Sequence, residues 1–213
     1  LSGFYERRAR RLLPALFLVL ACCIPFGILI LTPPVFEQFA LGLVGSATFS
    51  SNVVFLEAAP AYFRSADSEL NPLLHTWSLA IEEQFYLVYP LFLLLLLKFS
   101  RTALWLTLSI LMMSSFLFAV DYNDTSFTFF APHARFWELL IGVFVAITLH
   151  ERGGPLLPEN RLIRQLAPIL GLLMILVPVF LIKSFDARPY IPVSVVALIP
   201  VLGTALIILF SDT

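Results

Sequence analysis

Apolar runs of nearly twenty residues recur along this chain, and they limit its fold more than any other feature. A hydrocarbon layer about 30 Å thick takes roughly 20 helical residues to cross. Six stretches approach that length, at residues 13–31, 81–97, 103–120, 136–149, 166–183 and 191–210. The chain has 213 residues, 60% hydrophobic and 13% charged, with a mean hydropathy of +0.94. Soluble globular chains are about a quarter charged, so too little polar surface exists here to cover a water-facing domain. The pattern predicts an all-α fold, a polytopic transmembrane helical bundle treated as one domain over 1–213. About six spanning helices are expected, plus one re-entrant or short segment. The net charge of −1, with no basic tail, gives no sign of a nucleic-acid partner. Cys22 and Cys23 are adjacent in an apolar run and read as packing residues rather than a disulfide.

The seventh apolar segment, residues 39–56, differs from the other six. It reads FALGLVGSATFSSNVVFL, with two Gly, four Ser or Thr and one Asn. Charge decides how it runs. Arg7, Arg8, Arg10 and Arg11 precede the first span and mark that end as cytoplasmic. If residues 39–56 cross, Lys98, Arg101, Arg152, Arg161 and Arg164 all fall outside. If they enter and leave by one face, those residues fall inside, as the positive-inside rule prefers. The segment is therefore expected to be re-entrant, with residues 46–52 lining a cavity or forming a small-residue packing face. This topology puts residues 57–76 and 121–134 outside and makes 153–158 a cytoplasmic turn.

Three polar motifs interrupt the apolar pattern. In FYERRARRLLP, residues 4–14, the arginines are topology anchors that attract anionic lipid. Alternatively, Arg8 and Arg11, one turn apart, grip phosphates as planar forks. Pro14 is expected in the first turns of the span, where it costs least. In HTWSLAIEEQFY, residues 75–86, Glu82 and Glu83 cannot both face lipid without a cost of a few kcal/mol each. They either complement a helix start capped by Thr76 or Ser78, or they serve chemistry together with Gln84, Tyr86 and Trp77. A carboxylate here could bind a sugar hydroxyl or orient a base. In HARFWELLIG, residues 133–142, Arg135 and Glu138 at i, i+3 can pair on one face. Trp137 beside them reads as an interfacial aromatic anchor. His75, His133 and His150 lack metal-ligand spacing, and no metal is expected; phosphate-loop, dinucleotide and GxSxG signatures do not occur.

At these three motifs the chain resembles the acyltransferase 3 family, membrane enzymes that modify bacterial surface and exported glycans. The blocks that carry the resemblance are residues 4–14, residues 71–86 (NPLLHTWSLAIEEQFY) and Arg135-Phe136-Trp137-Glu138 followed by Gly142. The resemblance implies transfer of an acyl group, usually acetyl, from cytoplasmic acyl-CoA to a glycan or glycolipid hydroxyl in the bacterial inner membrane. Lipopolysaccharide O-antigen, peptidoglycan or exopolysaccharide are the implied acceptors. It assigns donor binding to Arg8 and Arg11 and the active-site region to Glu82 and Glu83; Arg7 and Arg10 are expected to join the donor contacts, and Arg135 and Glu138 the catalytic set. Acceptor contacts are expected from the neighbouring residues His75, Trp77, Ser78, Gln84 and Tyr86. Family members have two further spans before the arginine motif, one carrying an arginine and a base histidine. The chain is thus expected to be a piece of a longer protein. The rival readings are a transporter or flippase whose intramembrane charges line a substrate path, and a catalytically inactive fragment.

Overall fold

The computed structural model describes residues 1–62, 71–121, 125–156, 161–185 and 192–211. Every regular element among them is helical: α1 (Ser2–Ile30), α2 (Pro33–Ala47), α3 (Ser51–Tyr62), α4 (Thr76–Leu96), α5 (Arg101–Asp121), α6 (Thr125–Phe130), α7 (Pro132–Arg152), α8 (Arg161–Phe185) and α9 (Val193–Phe210). Five of these are long and apolar enough to cross a membrane: α1, α4, α5, α7 and residues Leu162–Phe180 of α8. The C-terminal helix supplies a shorter apolar segment, Ser194–Phe210. The chain is an all-α, multi-pass membrane protein. It divides into two compact units, Leu1–Leu104 with Ser126–Pro132, and Trp105–Thr125 with His133–Thr213.

In the first unit, α1 runs through the arginine motif and the apolar span without interruption. Arginine is a good helix former, and Glu6 pairs with Arg10 at i, i+4 with 2.8 Å between them. Pro14 consequently lies well inside a helix that begins at Ser2, not in its first turns as expected.

Residues 39–56 form no single helix. A turn at Thr48–Ser50 separates α2 from α3, with Phe49 in the left-handed region at φ 54°. Thr48 Oγ1 donates to the Val44 carbonyl, 2.8 Å away, and closes the end of α2. A Cβ on Gly45 would lie 2.9 Å from Ser51 Cα, and one on Gly42 would lie 3.3 Å from the Phe55 ring. Partners therefore move forward along α3 as they move back along α2, the pattern of an antiparallel hairpin. Its arms of 15 and 12 residues are each too short to cross a bilayer. The reversal is the one expected of a re-entrant segment.

Helix α4 runs antiparallel to α1, since Tyr5 Oη donates to the Leu87 carbonyl at 2.9 Å while Arg8 meets Glu83. In the turn before it, residues 71–75, Leu73 is fully buried against Leu16, Leu20 and Phe39, while Pro72 and His75 are exposed. Within the stretch expected outside, Leu73 thus belongs to the core, residues 63–70 lie outside the described residues, and α4 starts level with the middle of α1. Helix α6 and its neighbours contribute Phe130, 1% exposed, beside Phe55. Part of the segment expected as an outer loop is therefore core, because the three phenylalanines Phe127, Phe129 and Phe130 bury as a helix, Phe130 fully and the other two partly.

In the second unit, α5 and α7 are antiparallel, with Trp137 on Phe116 at 5.1 Å and Trp105 on Phe144 at 5.2 Å. Ser115 Oγ donates to the His133 carbonyl and accepts from the Trp137 amide. Trp137 is 1% exposed, a core residue and not an interfacial anchor. Helices α8 and α9 meet at Gly171 and Gly203, where a Cβ on either would lie 2.5 Å from the other's carbonyl oxygen. Small residues let apolar helices approach closely in lipid. Gly153, at φ 76°, ends α7 in the left-handed conformation that favours glycine.

Candidate functional site

A cleft of about 550 Å³ lies along α1 and α4 within the first unit. Helix α1 lines it with Arg8, Arg11, Leu12, Ala15, Leu16 and Val19, which recur at spacings of three and four and so share one face. Helix α4 and the residue before it contribute His75, Thr76, Ser78, Leu79, Glu82 and Tyr86. Because the helices are antiparallel, Arg8, Arg11, Glu82 and Tyr86 gather at one end. His75, Thr76 and Val19 lie at the other, with an apolar wall between.

At the charged end Arg8 is committed to Glu83. Its Nε lies 2.8 Å from Oε1 and 3.0 Å from Oε2, and both side chains are largely buried, 26% and 13% exposed. The guanidinium also covers the Tyr86 ring, 3.6 Å from its centroid. A planar cation between a carboxylate and an aromatic face is held rigidly by charge-assisted hydrogen bonds and cation–π attraction. The two motifs placed at opposite ends of the membrane by charge counting therefore meet. Helix α4 begins level with the middle of α1, which carries Glu83 to the level of the arginines.

The capping alternative for the glutamates fails. The residue before α4 is His75, no side chain caps the helix, and its first turn holds no acidic residue. Thr76 Oγ1 donates to the Leu73 carbonyl at 2.6 Å, and Ser78 Oγ to the His75 carbonyl at 3.2 Å. Glu82 and Glu83 sit in the second turn, about 100° apart around the axis. Glu83 faces Arg8, while Glu82 opens on the cleft. Among the described residues neither Glu82 nor Arg11 has a hydrogen-bond or ion-pair partner of its own. The cleft thus presents an available carboxylate, an available guanidinium and the His75 imidazole to one volume.

Other expected site residues lie elsewhere. Arg10 pairs with Glu6 on an exposed face, and Arg7, also exposed, is absent from the cleft lining. Trp77 packs on Phe129 at 4.4 Å and on Phe130 at 5.6 Å. Gln84 Nε2 donates to the Phe49 carbonyl and to Asn52 Oδ1, both at 2.8 Å. Neither residue lines the cleft. Arg135 and Glu138 form the expected pair in the second unit, with Nε 3.0 Å from Oε1 and Nη2 3.1 Å from Oε2. Outside the expected site set, the hairpin buries three polar residues, Ser46, Ser51 and Asn52, each no more than 2% exposed. The sequence signal was the run of Ser, Thr and Asn in an otherwise apolar segment. Among the described residues no group of three or more His, Cys, Asp or Glu could hold a metal ion.

The family whose model is described as "Acyltransferase domain" matches residues 1–212, spanning both units. An uncharacterized protein of Haemophilus influenzae is 30% identical over 98% of this chain and 86% of its own length. Peptidoglycan O-acetyltransferase OatA of Listeria monocytogenes is 26% identical over 97% of this chain and 34% of its own. O-acetyltransferase OatA of Staphylococcus aureus is 34% identical over 68% of this chain and 24% of its own. The chain therefore spans about a third or less of the length of those two named relatives. No solved structure matches.

Proposed function

The chain belongs to the acyltransferase domain family, and from that premise we propose that it is a membrane O-acyltransferase acting on a glycan of the bacterial envelope. The donor is an acyl-CoA, most simply acetyl-CoA. The acceptor is a sugar hydroxyl of peptidoglycan or of another exported glycan or glycolipid, and the site of action is the inner membrane. Relatives named for O-acetyl transfer, one of them to peptidoglycan, support the reaction class. The observation that carries the reading is the cleft where Arg11 and Glu82, neither of them paired among the described residues, share one charged end.

The chemistry follows from those groups. The hydroxyl oxygen attacks the thioester carbonyl carbon and the C–S bond breaks. The hydroxyl proton passes to a base, and coenzyme A leaves as the thiolate to be protonated in turn. The products are an O-acyl glycan and free coenzyme A. Arg11 neutralises a donor phosphate as a planar fork, while Arg8, already held by Glu83 and Tyr86, keeps that end of the cleft positive and rigid. Glu82 accepts the proton or orients the group that does. His75, at the far end, contacts the acceptor.

The test uses membranes containing the protein, labelled acetyl-CoA and glycan acceptors, with O-acetyl esters read by mass spectrometry. Glu82→Gln is expected to lower turnover by roughly 10²–10⁴-fold, the usual contribution of a positioned acid–base group. Arg11→Ala is expected to raise KM for acetyl-CoA with a smaller effect on kcat. Wild-type rates in Glu82→Gln would overturn the site assignment, and no ester on any glycan would overturn the function.

A further inference from the structure

Three consecutive residues of α4 face three different partners. Glu82 opens on the cleft, Glu83 meets Arg8 on α1, and Gln84 meets the hairpin turn between α2 and α3. Steps of about 100° per residue carry them round the helix, so the rotation of α4 about its axis sets all three at once. Glu83 alone is a weak index of that rotation, because its long side chain and that of Arg8 can follow each other through several degrees. The Gln84 contact is tighter. Its amide donates two 2.8 Å hydrogen bonds, one to a backbone carbonyl and one to Asn52 Oδ1. Asn52, 1% exposed, is itself tied through Nδ2 to the Phe130 carbonyl at 3.3 Å. At the first residue of α4, about two turns before Gln84, Thr76 shares a 2.7 Å hydroxyl contact with Ser46, on the other side of the hairpin turn.

The carbonyl that Gln84 grips belongs to Phe49, whose φ of 54° is unusual for a bulky L-residue. Left-handed conformation of this kind is costly for a residue with a side chain and persists where surrounding contacts over-determine it. A turn whose only task was to reverse the chain could have used glycine at no such cost.

We infer that Gln84 is a positioning residue and that Gln84 with Asn52 locks the re-entrant hairpin to α4 in the one rotation that presents Glu82 to the cleft. Gln84 acts through Glu82 and does not touch substrate. The role rests on the proposed acyl transfer for its consequence in turnover, while the lock itself is a matter of geometry.

The experiment is a double-mutant cycle with Gln84→Leu, Asn52→Leu and the pair together. Interacting residues show non-additive effects, and removing both partners of a buried hydrogen bond costs less than orphaning either one. Each single variant is expected to lower kcat by roughly tenfold to a hundredfold, the scale of a misplacement near 1 Å, with the acceptor KM unchanged. The double variant is expected to be no worse than the worse single. Asn52→Asp, which keeps the acceptor that Gln84 uses, is expected to retain more turnover than Asn52→Leu. A second readout does not depend on activity. In a Cys22→Ser, Cys23→Ser background, Glu82→Cys is expected to react with a thiol reagent at a rate that changes several-fold when Gln84→Leu is added, and equally with Asn52→Leu. A raised acceptor KM in Gln84→Leu with normal Asn52→Leu overturns the inference, because Gln84 then contacts substrate. So do losses that multiply, or an unchanged thiol rate. If wild type transfers no acyl group, the proposed function fails and the thiol cycle still decides the lock.

Discussion

At the scale of single residues, Glu82 and Glu83 are neighbours in sequence with different work. Glu83 is largely buried and neutralises Arg8 through both carboxylate oxygens. Removing a hydrogen-bonded partner from a charged group costs about 1.5–3 kcal/mol, and partial exposure of Arg8 pulls that toward the lower end. Glu83→Gln is therefore expected to lower the unfolding temperature in detergent, whereas Glu82→Gln, with no partner among the described residues to orphan, leaves it near wild type. Tyr86→Phe keeps the ring under Arg8 and is expected to match wild type. Tyr86→Leu loses the cation–π contact, worth about 0.5–2 kcal/mol, and melts earlier. None of this was legible beforehand, since Arg8 and Glu83 stand 75 residues apart. Burying two opposite charges in an apolar chain makes their pairing favourable, but only the packing of α4 on α1 selects which glutamate is taken.

Among the elements, the re-entrant hairpin is the one whose composition anticipated its structure. Its glycines allow the two arms to touch, and its hydroxyls and amide satisfy polar groups that lipid could not. Gly45 faces the Ser51 backbone at a distance no Cβ tolerates. Gly45→Ala is expected to destabilise the protein by about 1–3 kcal/mol, the usual cost of overpacking, seen as a lower melting temperature. Gly142→Ala, with nothing within 4 Å of the new methyl group, is expected to be neutral or slightly stabilising, since alanine favours helix over glycine. Helix ends were less legible. Helix α4 starts five residues before the expected span and α1 eleven residues before it, because hydropathy reports where lipid lies and the backbone continues to hydrogen-bond beyond it.

At the scale of the chain's course, one reversal decides the direction in which α4 leaves the first unit. The antiparallel run of α1 and α4 puts Arg7 and Lys98 at the same end of the first unit, with Thr32 at the other. With Cys22 and Cys23 replaced, cysteines at Arg7 and Lys98 are expected to label with an impermeant maleimide from one face of the membrane, and a cysteine at Thr32 from the opposite face. Labelling of Arg7 and Lys98 from opposite faces would mean that residues 39–56 cross. The sequence by itself determined the class, an all-α membrane bundle, because apolar runs of this length leave the backbone no other way to satisfy its hydrogen bonds in lipid. It also determined the family, through three short motifs, and the odd nature of residues 39–56. Only the tertiary structure decided that two of those motifs form one cleft, that Arg8 is occupied and Arg11 available, and that Gln84 holds a hairpin. Those facts depend on the rotation and depth of α4 against α1 and the hairpin, which are set by side-chain packing between distant segments and leave no periodicity in the sequence.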